Sequence, residues 1–179
     1  MEPFRLIYED KHFNKYLKNG LIVDSCILFD FLLRHYKKAG RTEREDSDGD
    51  GNIPVMLDRF LSIGCKKYIT PHILAELSNL IHINTRNPSD FSQLIDLIKD
   101  KLKEYEEIPI MMWDVLNDPL VNRFGITDTG IKLSSEKNKK IILTKDGEFC
   151  NHCKYNQKLP TIHLEDLQSL FLTLQIFKK

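Results

Sequence analysis

Residues 20–38 read GLIVDSCILFDFLLRHYKK. Leu21, Ile22 and Val23 form an unbroken apolar run between a glycine and an aspartate, the pattern of a short buried strand ending at Asp24. Ile27, Leu28, Phe31 and Leu32 then recur at helical spacing, with Ser25 or Asp24 available to cap the helix they mark. A buried strand feeding directly into an amphipathic helix sets the reading of the rest of the chain.

The alternation continues outward from there. KKYIT at 66–70 reads as a second strand, followed by a helix opened by Pro71 with Ile73, Leu74, Leu77, Leu80 and Ile81 inward. IPVMLDRFLSIG, from Ile53 to a stop at Gly64, is a helix before that strand. Phe91, Leu94, Ile95, Ile98 and Leu102 mark another helix, and 108–111 is either a short strand or part of a helical stretch. KKIILT at 139–144 is the clearest later strand, with a helix from 147 to about 157 after it. LPTIHL supplies a last strand and EDLQSLFLTLQIF a closing helix with acids in its first turn. Residues 1–20 are a lead-in of open type, and 41–52 an acidic loop. Short strands separated by helical crossovers pair most economically in parallel, giving an α/β domain over 1–179 with its sheet covered on both faces.

Composition sets outer bounds. Lys plus Arg is 26 and Asp plus Glu is 26, a zero balance that argues against a uniformly basic coat for nucleic acid but not against a local basic face. The four cysteines, Cys26, Cys65, Cys150 and Cys153, are too sparse for a disulfide scaffold. No apolar run is long enough to span a bilayer and no signal peptide opens the chain, so a cytoplasmic protein without membrane contact is expected.

In open α/β sheets, ligands bind beyond the carboxyl ends of the strands. Asp24 ends the first strand and Asp146 follows KKIILT at the same edge. Glu76 lies early in the helix after KYIT, and Asp128 early in the segment feeding KKIILT. Parallel topology thus carries up to four carboxylates toward one edge. Such acids repel one another unless a divalent cation is shared between them, and Mg²⁺ or Mn²⁺ prefers carboxylate oxygen.

These stretches, LIVDSCILF, ITPHILAELSNL, GITDTGI and KKIILTKDGEF, resemble as an ordered set the PIN-domain family, over residues 21 to about 165. The separation of Asp24 from Glu76 is longer than in compact members because of the 40–65 region. The resemblance implies a three-layer α/β/α sandwich and a metal-dependent endoribonuclease, in which Asp24, Glu76, Asp128 and Asp146 hold one or two Mg²⁺ or Mn²⁺ ions and metal-activated water attacks the RNA phosphodiester. Ser25 and Thr144 match the small hydroxyl positions that support those acids. A toxin or defence role, a small antitoxin or other regulatory protein as partner, and a homodimer follow from the family alone. Lys137, Lys139, Lys140, Lys145, Lys154 and Lys158 are candidate contacts to the RNA backbone. A catalytically silent PIN-like binding or assembly module and a structure-specific DNA or RNA nuclease are the competing readings.

Two other motifs are set aside. DSDGDGNI at 46–53 begins like a calcium loop, but its twelfth position is Leu57 and Pro54 takes the ninth. CNHC at 150–153 lacks an evident second ligand pair for zinc. Trp113 and the ten Phe residues read mostly as core.

Overall fold

The computed structural model describes residues 18–39, 52–62, 65–85 and 87–176. The lead-in at 1–17, the acidic loop at 41–51 and the helix stop at Gly64 lie outside the described residues.

Five strands form one parallel sheet: β1 (Leu21–Val23), β2 (Lys67–Ile69), β3 (Tyr105–Glu107), β4 (Ile141–Thr144) and β5 (Thr161–His163). Their spatial order is β3-β2-β1-β4-β5. Among the described residues, eight α-helices flank the sheet in a three-layer α/β/α arrangement. They are α1 (Ser25–Ala39), α2 (Asn52–Ser62), α3 (Pro71–Asn84), α4 (Pro88–Lys101), α5 (Met112–Asn117), α6 (Val121–Asn138), α7 (Gly147–Asn151) and α8 (Leu164–Ile176). No helix among the described residues is long and apolar enough to cross a membrane.

The central strands are apolar throughout because both of their faces are covered. Every residue of β1 and β4 is buried, in register Leu21–Ile141, Ile22–Ile142 and Val23–Leu143. Helices supply Ile27, Leu28, Leu32, Ile73, Leu77, Leu94, Ile131 and Phe171 to the same core.

Two readings are corrected. The third strand is Tyr105–Glu107 rather than 108–111, although Ile108 continues its ladder by donating to the Ile69 carbonyl at 2.8 Å. It is an edge strand, so Glu106 and Glu107 can face water and no apolar run marks it; Glu106 is ion-paired to Lys66 at 2.7 Å. Trp113 is 64% exposed, not core: α5 has only six residues and turns Val115 inward. In the calcium-like motif, residues from Asn52 onward belong to helix α2, which leaves no second half of a metal loop.

Gly20 enters β1 at φ +100°, a conformation that strains any residue with a Cβ. A Cβ there would also overlap the Tyr68 ring and lie 2.6 Å from the Lys66 carbonyl oxygen. Gly20→Ala should therefore lower stability by about 2–4 kcal/mol, seen as a lower urea midpoint at unchanged m-value.

Candidate active site

The strand order reverses between β1 and β4, whose helical connections depart in opposite directions, and this opens a crevice at their carboxyl ends. Asp24 stands in that crevice. Its backbone N–H donates to the Leu143 carbonyl at 3.0 Å, and the residue is 3% exposed. Thr144 Oγ1 donates to Asp24 Oδ2 at 2.7 Å and in turn accepts from the Asp146 N–H at 3.0 Å. Ser25 Oγ lies 3.0 Å from Asp24 Oδ1 and 2.9 Å from Glu76 Oε2. One hydroxyl proton cannot satisfy two carboxylates fully, so Ser25 ties both acids to a single donor. The Cys26 N–H also bonds to the Asp24 carboxyl. Asp24 thus caps α1 and anchors the crevice at once.

Asp146 follows β4 and caps α7, with Oδ1 accepting from the Phe149 N–H at 2.9 Å. That occupies one oxygen of an exposed carboxylate. Asp128 arrives from α6. Gly125 breaks that helix with φ +84° and ψ −178°, so a fresh helical N-terminus begins at Ile126 and Asp128 falls in its first turn.

The electrostatics join the four acids. Burial pushes the Asp128 carboxyl up to about 8, and the negative charges of Asp24, Asp146 and Glu76 add to the rise. Every charge that shifts Asp128 is another of the four acids. Burial also raises Asp24, against the hydrogen bonds from Thr144 and Ser25, and Glu76 raises it further. The buried cation one turn along α6, Lys132, is committed to Asp118 at 3.2 Å and Glu136 at 3.0 Å. The donor set is all carboxylate and hydroxyl oxygen, the chemistry of Mg²⁺ or Mn²⁺ rather than zinc. Among the described residues, no three His, Cys, Asp or Glu side chains are gathered tightly enough to hold one ion as they stand. The acids fit such an ion in type and in unbalanced charge, and binding it requires them to draw together.

The lysines divide differently from their order in sequence. Lys137 and Lys139 close α6, and Lys140 precedes β4, so all three sit at the amino end of the strand whose carboxyl end leads to Asp146. A four-residue strand separates the two ends by about 13 Å. Lys140 is 8% exposed, donates to the Asn19 carbonyl at 2.7 Å and covers the Tyr68 ring at 3.3 Å. Lys158 precedes β5 at the same far end. Lys154 lies 3.9 Å from Asp166. Of the six, Lys145 adjoins the acids, ion-paired to Asp30 at 2.7 Å. Arg123, unremarked in the sequence, also reaches this edge: its Nε and Nη2 donate to Glu148 Oε1 at 3.0 and 2.7 Å. The pattern that could have found it is a basic residue just before the glycine break of GITDTGI.

Cys150 and Cys153 are buried thiols, with Cys153 pushed up to about 12 mainly by burial, and they pack as small apolar groups. They form no metal-ready group with His152.

Fold and edge together define a class: an open α/β protein with an acidic cluster at its topological switch point. No family model and no curated protein matches the chain. Among solved structures, a domain of a functionally unknown protein from Methanocaldococcus jannaschii DSM 2661 superposes with a TM-score of 0.45 at 15% identity, covering 80% of this chain and 89% of that one. A likeness of that size carries no argument about activity.

The raised Asp128 pKa has a signed consequence for stability. The unfolded carboxyl ionises near pH 4, as model peptides do, while the folded one keeps its proton to about 8. The native state binds more protons across that window, so stability falls as pH rises from about 4 to 8. Asp128→Asn in metal-free protein should remove much of that slope and gain at least about 2 kcal/mol at pH 8. Denaturant melts at pH 5 and pH 8 measure both quantities.

Proposed function

We propose that the protein is a divalent-metal-dependent endoribonuclease of the PIN-domain type. The observation that carries the reading is the acid cluster at the β1–β4 crevice: Ser25 Oγ lies 3.0 Å from the Asp24 carboxyl and 2.9 Å from that of Glu76, and burial with these acids and Asp146 raises Asp128 to about 8. Acids crowded around one buried carboxyl, Asp24, at the ligand-binding edge of an α/β sheet are the arrangement of a functional site rather than a stabilising one.

Asp24, Glu76, Asp128 and Asp146 are the residues that would hold Mg²⁺ or Mn²⁺. A bound ion would supply a Lewis acid for the scissile phosphate and lower the pKa of water. The chain's own groups prepare the site. Thr144 and Ser25 fix both oxygens of Asp24 from opposite sides, and Ser25 couples that carboxyl to Glu76. Asp146 commits one oxygen to capping α7, which sets the direction of its carboxylate. Asp128 keeps its proton to about 8 in the metal-free site and would release it on joining a bound cation. Arg123 and Lys145 are the cations at this edge that would meet the phosphate backbone, after exchanging their carboxylate partners. A role as toxin or defence component, an antitoxin or other regulator as partner, and a homodimer extend this proposal by resemblance.

The second reading is a PIN-like binding module without catalysis. It is favoured by one fact: the acids do not converge on a single coordination point.

Two measurements separate the readings. Purified protein with single-stranded and structured RNA and DNA should cleave RNA in Mn²⁺ or Mg²⁺ and not in EDTA, and Asp24→Asn or Asp146→Asn should lower the rate by about 100-fold or more. Asn retains the capping capacity of Asp146, so loss of activity there is not loss of α7. Equal cleavage by wild type and variants would remove the assignment. Calorimetric titration of Mn²⁺ at pH 7, in buffers of different ionisation enthalpy, should report release of about one proton per binding event. Buffer-independent heats would show that Asp128 does not join the metal site.

A further inference from the structure

α7 continues after Asn151 into a π-helical turn, His152–Asn156. The combined segment presents Glu148, Asn151, His152, Tyr155 and Asn156 on one face, spaced as i, i+3, i+4, i+7 and i+8. With Arg123 of α6 opposite, these five residues line an open cleft of about 210 Å³. The Glu148 end of the cleft lies two residues after Asp146 and Tyr155 nine residues after it, so the cleft leads away from the acidic crevice along the helix that Asp146 caps.

Its chemistry is that of a base-and-phosphate site. Tyr155 is 68% exposed at the cleft, with Lys154 Nζ over its ring at 5.8 Å from the centroid, so a base would stack on the ring beside that cation. The His152 ring is held between Phe124, with centroids 5.2 Å apart, and the Gln157 amide at 3.2 Å. Asn151 and Asn156 each bring an amide donor and acceptor, the complement of a base edge. Arg123 lies over the Phe124 ring, 4.8 Å from its centroid, and its bond to exposed Glu148 can be traded for a phosphate at little cost. The volume is below the ~300–1,000 Å³ typical of drug-sized ligands and suits one planar ring system. A π turn is rare and recurs at functional sites. Here it sets the register of Tyr155 and Asn156.

We propose that this cleft binds one unstacked nucleobase of a single-stranded RNA, on the strand that leads away from the phosphate presented to the acids. The inference rests on the nuclease reading for its substrate class. Duplex RNA keeps its bases stacked and paired, so it has no ring to offer Tyr155.

The test is binding without cleavage. A fluorescent single-stranded RNA 12-mer and the same strand in a blunt duplex are titrated by anisotropy against the full chain in EDTA. The single strand should bind more tightly than the duplex. Tyr155→Ala should weaken single-strand binding about tenfold, Tyr155→Phe should keep it, and neither should change duplex binding. Equal affinity for single strand and duplex, an unchanged affinity in Tyr155→Ala, or an equal loss in Tyr155→Phe would each overturn the proposal. In Mn²⁺, the same Tyr155→Ala variant should raise KM with kcat nearly unchanged. RNA cleavage that ignores Tyr155 would sink the base site and leave the nuclease reading standing. Tyr155-dependent binding without cleavage would do the reverse.

Discussion

The Asp24 carboxyl is the point on which the site depends. It is buried at the junction of β1 and β4, accepts hydroxyl bonds from Thr144 and Ser25, and receives the Cys26 amide. A carboxyl so placed is costly in water-free surroundings unless its charge is answered. Hydroxyls answer it in part. The remaining acids increase the charge rather than relieve it, and Asp128 responds by holding its proton. The fold therefore brings acids together at a sheet edge where packing alone would have selected apolar residues.

That concentration follows from topology. Parallel strands point their carboxyl ends one way, and reversal of strand order between β1 and β4 leaves a gap there. Asp24 and Asp146 extend directly from the two strands that flank the gap. Glu76 is delivered by the helix after β2 and Asp128 by the helix before β4. The glycine break at Gly125 is what lets a new helix start close to the gap.

How much of this was legible depended on whether a residue's role left a local pattern. The edge positions of Asp24 and Asp146 were readable because each closely follows an apolar run, and those of Ser25 and Thr144 because they stand at the same strand ends. The three-layer α/β/α class was readable because fully buried strands cannot be confused with half-exposed ones when helices intervene. The edge strand Tyr105–Glu107 was not, since a strand with a wet face needs no apolar run. Lys137, Lys139 and Lys140 lie near Asp146 in sequence but at the other end of a strand, a separation that linear proximity hides. The cleft was masked by its own motif: CNHC invited a metal reading, while its thiols pack inward and its histidine joins a polar face spaced for a helix.

The proposed activity requires the acids at the β1–β4 crevice to form one cation site. A crystal grown with Mn²⁺, with anomalous diffraction collected at the manganese edge, tests it most directly. An anomalous peak is expected, bounded by the Asp24, Asp128 and Asp146 carboxylates, with the acids drawn closer than in the metal-free fold. A saturated crystal whose manganese peaks all lie elsewhere would contradict it.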